Sequence, residues 1–263
     1  MNGGAGWGAR LMNSSITGMA PWMLFSLLSG PGRYGLAAAL AAAAALALVL
    51  VRERPAFLEV AGLVLFAALT IIGLIVLPPT LRWLETYADE LADLTLVALA
   101  AGSLAVRAPL TTPYARRKVP REFWRTPDFL RTNVVITAAW GLAFLAAALA
   151  GGVGDLLLRN PENLWTGWIV QVWALVTAAR FTEWYPALVR ARLAPGAEAR
   201  PRVSSLLMPF VGLLIPMGVL VLVFGAAPRW FAIALMVIGV VLARALRTEV
   251  AIEEREGGRH ELK

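Results

Sequence analysis

The chain has 263 residues, of which 59% are hydrophobic and 16% charged, and its mean hydropathy is +0.69. Soluble domains carry about 45–50% apolar and about 25% charged residues, so this composition excludes an ordinary soluble, disordered or nucleic-acid-binding protein and favours a chain that faces lipid. The absence of cysteine excludes disulfides, iron–sulfur clusters and thiol nucleophiles, and the single histidine, His260, disfavours a zinc site, a haem site or a Ser-His triad.

Eight apolar segments are long enough to cross the hydrocarbon core of a bilayer, which needs about 20 residues per helix. The first is the weakest, because its first half is polar and Pro21 interrupts it; we expect a retained helix and not a cleaved signal peptide. The second is rich in alanine, which favours close helix packing. The predicted fold is therefore an all-α, polytopic transmembrane helix bundle of about eight spans: Leu11–Gly30, Gly35–Val51, Phe57–Leu77, Tyr87–Val106, Val134–Leu158, Trp165–Tyr185, Leu206–Phe224 and Trp230–Leu246.

Basic residues predict the orientation of this bundle. All but four of the 24 Lys and Arg residues fall on one side of the eight-helix layout, and each of the four opposite loops carries one exception: Arg33, Arg82, Arg159 and Arg229. Because cytoplasmic loops are enriched in Lys and Arg, we expect a bacterial inner-membrane protein with both termini in the cytoplasm. The basic loops are expected to contact anionic headgroups of the lipid bilayer, and no basic folded domain is present that would bind nucleic acid.

A short internal similarity bears on domain organisation. Asn13 and Thr17, at the start of the first segment, match Asn133 and Thr137 at the start of the fifth, and a tryptophan follows each pair. One interpretation is a parallel 4+4 repeat; the alternative is that Asn and Thr merely cap helices at the interface. The predicted divisions are a first half over 1–106, a cytoplasmic basic interfacial loop over 107–133, a second half over 134–248 and a charged C-terminal tail over 249–263.

Acidic residues in the fourth segment are the clearest candidates for a functional site. Glu85, Asp89 and Asp93 follow i, i+4, i+8 spacing, so their carboxylates share one helix face, and Glu90 lies beside them. Ionisable groups inside a membrane need a partner or a watery cavity, so the stripe predicts a proton or cation path. The alternative is a solvated helix start that favours acids, with Arg82 near enough to pair.

Further polar residues complete the candidate path. Arg180 and Glu183 are spaced to pair on one face of the sixth segment, where Gln171 also lies, and Arg180 either holds an anionic group or snorkels with its own counter-ion. Glu59 is expected to cap the third segment and to reach Arg52 or Arg54. The predicted ion or substrate path comprises Asp93, Asp89, Glu85, Asn133, Thr137, Trp140, Gln171, Arg180, Glu183, Asn13 and Thr17.

The long basic loop is unusually rich in proline and aromatic residues, which indicates a segment in the headgroup layer, with a short interfacial helix over Arg121–Leu130. Its pattern resembles that of a family of bacterial polytopic membrane proteins, loosely similar to intracellular septation protein A-like membrane proteins. The matching residues are Thr111, Tyr114-Ala115-Arg116, Val119-Pro120, Trp124, Pro127, Asn133, Ile136-Thr137 and Trp140-Gly141. The resemblance implies a bacterial inner-membrane protein and no particular chemistry.

Two functions fit these features. The first is a small-solute or ion transporter or channel-like protein with a polar path between its helices. The second is a non-catalytic membrane scaffold or accessory subunit, in which slim helices and the basic loop bind another membrane protein or a second copy of the chain. An intramembrane lipid enzyme is disfavoured because no catalytic motif is present, so we expect no enzymatic activity and no cofactor.

Overall fold

The computed structural model describes residues 15–30, 32–52, 55–159, 163–193, 201 and 203–260, and every regular element in these ranges is a helix. The α-helices are α1 Ser15–Leu28, α2 Tyr34–Val51, α3 Phe57–Ile75, α4 Pro78–Ala105, α5 Thr112–Arg116, α6 Pro127–Gly152, α7 Val170–Leu193, α8 Val203–Phe224 and α9 Arg229–His260. A 3₁₀ turn covers Arg121–Phe123, and π-helical turns cover Val153–Leu157 and Trp165–Ile169. The all-helical prediction is confirmed.

Four helical segments in the described part of the chain are long and apolar enough to cross a membrane: Tyr34–Val51, Phe57–Ile75, Pro127–Leu157 and Val203–Phe224. They fit a membrane-embedded protein. The other four predicted spans fall on α1, α4, α7 and α9. Helix α1 is a shorter apolar helix, and the other three carry more charged residues along their length. The count of eight therefore stays a prediction.

The chain divides into two compact units, residues 1–161 (unit 1) and 162–263 (unit 2). Unit 1 contains α1 to α6, and unit 2 contains α7 to α9 with the π turn that precedes α7. The 4+4 repeat and the predicted divisions near residues 106, 133 and 248 stay predictions, and Asn13 lies outside the described residues.

Small residues allow the first three helices of unit 1 to pack closely. Helix α2 buries the alanine face that its sequence predicts, with Ala37, Ala38, Ala41 and Ala45 fully buried. Neighbouring aromatic rings fill the remaining space: Phe25 and Phe66 have ring centroids 5.0 Å apart, Trp22 packs edge-on against Phe66, and Tyr34 donates a hydrogen bond to the Leu69 carbonyl at 2.8 Å.

Helices α4 and α6 form the second pair in unit 1. They run antiparallel, because Ala100, near the end of α4, lies against Gly141 in the middle of α6, whereas Glu90, earlier in α4, lies against Gly151 near the end of α6. Alanine at a spacing of four residues gives α4 a narrow buried face through Ala88, Ala92, Leu96 and Ala100. Close contact between two slim faces follows from this spacing, as in other membrane helix pairs.

The predicted interfacial helix over Arg121–Leu130 is wrong. Its first part is the 3₁₀ turn Arg121–Phe123, and its last part already belongs to α6, which begins at Pro127. Proline favours the first helical position because it has no N–H to leave unsatisfied, and Thr126 caps the helix by accepting a hydrogen bond from the Phe129 N–H at 3.3 Å. The chain therefore enters α6 directly from the loop.

Unit 2 is built on the hairpin of α8 and α9. Gly225 turns the chain between the two helices with φ of +62°, a conformation that favours glycine. Met217, Val221 and Ala232 are buried at the contact, and Leu164, Trp165, Ile169 and Phe231 pack around them. The Trp165 indole N–H donates to the Ala226 carbonyl at 3.2 Å, which fixes the π turn against this hairpin.

Candidate ion site in the helix bundle

The acidic residues of α4 lie inside the helix and not at its start. The sequence predicts a span from Tyr87, but Pro78 and Pro79 at the first helical positions start the helix nine residues earlier. Asp89 and Asp93 therefore lie in the fourth and fifth turns of a 28-residue helix that is about 42 Å long. The helix dipole stabilises acidic residues only within the first turn of a helix. It therefore does not explain carboxylates as far along the helix as Asp89 and Asp93.

Two carboxyl groups of the predicted stripe have hydrogen-bond donors on α1 and on the turn that follows it. The Ser26 hydroxyl of α1 donates to Asp89 Oδ2 at 3.1 Å, and the Gly32 backbone N–H donates to Glu85 Oε1 at 3.0 Å. The expected pairing with Arg82 is not found among the described ion pairs. These contacts place one side of the stripe against α1.

A second pair of carboxyl groups joins α4 to the end of α6. Glu90 lies directly on the backbone of Gly151, where an added Cβ would come within 2.7 Å of Glu90 Oε1. From there its carboxyl group lies close enough to that of Asp155 for the two to interact electrostatically. Glu90 Oε2 and Asp155 Oδ2 are buried, and no described protein group donates a hydrogen bond to either atom.

Four carboxyl groups thus form one cluster, which we name the carboxyl cluster: Asp89, Glu90, Asp93 and Asp155. Asp93 interacts electrostatically with Asp89 and Glu90, and Asp155 interacts with both of these as well. Within the described residues, neither lysine nor arginine forms an ion pair with the cluster. A concentration of like charge without a basic partner is expensive inside a bundle, so the cluster needs protons or a cation.

Sequence reasoning missed Asp155 altogether and left Glu90 outside the stripe. Asp155 lies within the fifth predicted span, Val134–Leu158. Like Asp93, it is an ionisable residue inside a membrane span and therefore needs a partner or a watery cavity. Glu90 points to another face of α4 than Asp89 and Asp93, and its neighbour comes from a helix 65 positions further along the chain. The adjacent glycines Gly151 and Gly152 were the signal in the sequence for this contact, because glycine lets another helix pack closely against α6.

An apolar layer separates the carboxyl cluster from the other polar candidates of α6. Leu96 and Ala100 of α4 and Phe144 and Ala147 of α6 are buried in this layer. Thr137 lies about 20 Å along α6 from Gly151. The predicted path residues of unit 1 therefore form two groups at opposite ends of the α4–α6 pair.

Beside the second group, a buried glutamate of α3 forms an ion pair and also holds Tyr114 of the basic loop. Glu59, 0% exposed, pairs with Arg52 and also accepts hydrogen bonds from the Tyr114 hydroxyl at 3.3 Å and from the Ala56 backbone N–H at 3.0 Å. The predicted contact with Arg52 and the capping role are both confirmed. Burial raises the pKa of Tyr114 to about 12 although Arg52 and Arg117 oppose the shift, so its hydroxyl stays protonated and donates to Glu59.

Threonine and asparagine hold the other side of the loop. The Thr111 hydroxyl lies 2.9 Å from the Thr137 hydroxyl and donates to the Asn133 carbonyl at 3.1 Å, while the Asn133 amide donates to the Phe129 carbonyl at 2.8 Å. Both Asn133 and Thr137 are buried. Their hydrogen bonds attach the loop to α6, and a direct part in an ion path stays a prediction.

Trp140 lines a small cavity at this end of unit 1. The cavity has a volume of about 20 Å³, and Met19, Tyr114 and Phe144 are among the residues that line it. This volume accommodates about one water molecule, and the lining is mainly apolar. It is too small to hold a solute. Thr17 lies half-buried on α1 in the same unit.

The remaining candidates belong to unit 2. Gln171 is buried on α7, and Arg180 donates to Glu183 Oε2 at 3.2 Å, which confirms the predicted pair. The two side chains are 49% and 71% exposed, so this pair resembles an ordinary surface ion pair.

Comparisons with known proteins add no relative: no protein family, no curated protein and no solved structure matches this chain significantly. Among the described residues, no group of three or more His, Cys, Asp or Glu side chains has the arrangement of a metal site. The carboxyl cluster and the helices that surround it are therefore the basis for assigning a function.

Proposed function

We propose that this chain is an integral membrane protein of transporter or channel type that carries protons through unit 1. The observation that supports this best is that Glu90 and Asp155 interact electrostatically while their buried oxygens Oε2 and Oδ2 have no hydrogen-bond partner among the described residues. An unsatisfied buried oxygen costs about 1–3 kcal/mol. Protonation of one of the two groups removes a buried negative charge, and transfer of that proton to Asp89 or Asp93 moves it along α4.

The proposed arrangement in the membrane is eight crossings with both termini in the cytoplasm of a bacterial inner membrane. Each predicted span falls on a helix of the structure, and the distribution of Lys and Arg supports the orientation. In this arrangement the carboxyl cluster lies toward the outer surface and the loop of 107–133 toward the cytoplasm. The resemblance of that loop to bacterial polytopic membrane proteins is part of the same proposal.

A complete path requires the apolar layer to open. Leu96, Ala100, Phe144 and Ala147 close the bundle below the cluster, and hydrophobic constrictions of this kind gate other pores by excluding water. The layer is closed in the observed conformation, and protons pass it when α4 and α6 separate. The proposal assigns no catalytic role to any residue and requires no cofactor.

Proton flux in liposomes tests this function. Protein reconstituted with an internal pH-sensitive dye is expected to acidify the interior, under an imposed negative membrane potential, faster than protein-free liposomes. Asp93→Asn and Glu90→Gln are each expected to reduce the rate to that of protein-free liposomes, because each removes a group that binds and releases the proton. Glu122→Gln, which changes an exposed carboxyl group outside the predicted path, is the matched control and is expected to leave the rate unchanged.

Unchanged flux in both cluster variants would contradict the proposed path. Absence of flux from the well-folded wild-type protein would favour the second candidate, a non-catalytic scaffold or accessory subunit. The rigid basic loop supports that alternative. The alanine face of α2 no longer does, because Ala37, Ala38, Ala41 and Ala45 are already buried inside unit 1.

A further inference from the structure

The exposed basic surface of the loop contains an aromatic residue that organises two arginines. The Arg116 guanidinium lies 5.1 Å from the centroid of the Trp124 ring, and the Arg121 guanidinium lies 5.8 Å from it. Both arginines are exposed, whereas Trp124 is half-buried. Cation–π contacts hold a guanidinium in place without using its N–H donors, so both groups keep their donors for an anion.

These two arginines have no carboxylate partner among the described residues. Glu122 and Asp128 are the acids nearest in sequence, and neither forms an ion pair in this part of the chain. Both guanidinium groups lie within about 6 Å of the centroid of one ring, and the planar guanidinium suits the oxygens of a phosphate. The surface therefore favours a ligand with at least one phosphate group.

The backbone that carries this surface is held rigidly. The Trp124 indole N–H donates to the Val119 carbonyl at 2.8 Å, and the Thr126 hydroxyl donates to the Phe123 carbonyl at 2.8 Å. Upstream, Tyr114 is fixed by Glu59, and Thr111 by Thr137. Because these hydrogen bonds already order the loop, a ligand that binds there costs little conformational entropy, and its affinity is higher for that reason.

The apolar side chains beside the arginines indicate what kind of molecule carries the phosphate. Phe123 is 48% exposed and Leu130 is 46% exposed, and Leu130 lies in the first turn of the span Pro127–Leu157. The start of a spanning helix lies at the headgroup level, where exposed apolar side chains contact acyl chains. A free anion uses only the arginines, whereas a phospholipid uses both the arginines and these apolar neighbours.

We propose that Arg116, Arg121 and Trp124 form a binding site for the phosphate of an anionic phospholipid at the membrane surface. This site is more specific than the general attraction of basic loops to anionic headgroups, because it depends on two arginines that share one ring. It rests on the membrane placement of the loop in the proposed function, and it is independent of proton transport.

Native mass spectrometry of the full chain in a neutral detergent tests the site, with phosphatidylglycerol and phosphatidylcholine as probes. The wild-type protein is expected to bind phosphatidylglycerol roughly tenfold more tightly than phosphatidylcholine. The double variant Arg116→Ala, Arg121→Ala is expected to weaken phosphatidylglycerol binding about 30-fold. The matched control Arg125→Ala, Arg131→Ala removes the same charge from the same loop and is expected to change binding less than about threefold.

Two substitutions of Trp124 separate the contribution of the ring from that of the charges. Trp124→Phe keeps an aromatic ring and is expected to retain most of the binding, whereas Trp124→Ala is expected to lose it. Equal losses in the two arginine double variants would overturn the proposal in favour of diffuse attraction. Full displacement of the lipid by millimolar inorganic phosphate would overturn it in favour of a free anion. A protein that binds the lipid as expected but carries no protons contradicts only the proposed function.

Discussion

Glu59→Ala is expected to lower the free energy of unfolding by about 3–5 kcal/mol, because it removes the carboxylate that pairs with Arg52 in a buried position. Arg52 is only 9% exposed, and its pKa is lowered by burial and by the neighbouring Arg117, so its environment already disfavours the cation. The variant also removes the acceptor of the Tyr114 hydroxyl and of the Ala56 N–H. Unfolding by titration with a denaturing detergent in mixed micelles measures the change.

The pair Arg180 and Glu183 is the matched control for this measurement. It is also an arginine–glutamate pair on a helix-rich part of the chain, but both side chains are about half exposed or more. Glu183→Ala is therefore expected to change the free energy of unfolding by less than about 1 kcal/mol. Similar losses in Glu59→Ala and Glu183→Ala would contradict the stabilising role assigned to the buried Glu59.

Gly218→Ala is expected to destabilise unit 2 by about 1–3 kcal/mol, because the added methyl group has no space at the α8–α9 contact. Its Cβ would lie 2.7 Å from the Ala232 backbone oxygen, and a backbone atom cannot rotate away as the end of a side chain can. Thermal unfolding of the purified variant, followed by circular dichroism in detergent, measures the loss.

Gly212, six residues earlier on the same helix, gives the opposite expectation. A Cβ at this position meets no described atom within 4 Å. Gly212→Ala is therefore expected to be neutral or to stabilise by up to about 1 kcal/mol, since alanine favours helix more than glycine does. Loss of stability in Gly212→Ala equal to that in Gly218→Ala would contradict the described packing of α8 on α9.

Local sequence patterns predicted the helices well because apolar content and helix termini are local properties. The alanine face of α2 and the cap at Glu59 follow from residues within a few positions of each other. The interfacial helix was wrong for a local reason too, since Pro127 with Thr126 before it starts a new helix at that point.

The composition of the carboxyl cluster could be predicted only in part, because it combines distant segments. The i, i+4 spacing identified Asp89 and Asp93, but their neighbours are set by the register of α4 against α6. That register depends on which small residues meet, as at Gly141 and Gly151, and single-helix periodicity carries no information about it. Asp155 became part of the site only through this contact.

The central claim is that the helices cross a bilayer an even number of times and leave the basic loop and the C-terminal tail on one side. Because the chain has no cysteine, each single substitution to cysteine gives a protein with one thiol to label. With a membrane-impermeant maleimide, Lys118→Cys and Lys263→Cys are both expected to react only from the cytoplasmic face, and Arg82→Cys only from the opposite face. Reaction of Lys118→Cys and Lys263→Cys from opposite faces would contradict this topology and, with it, the proposed path of protons.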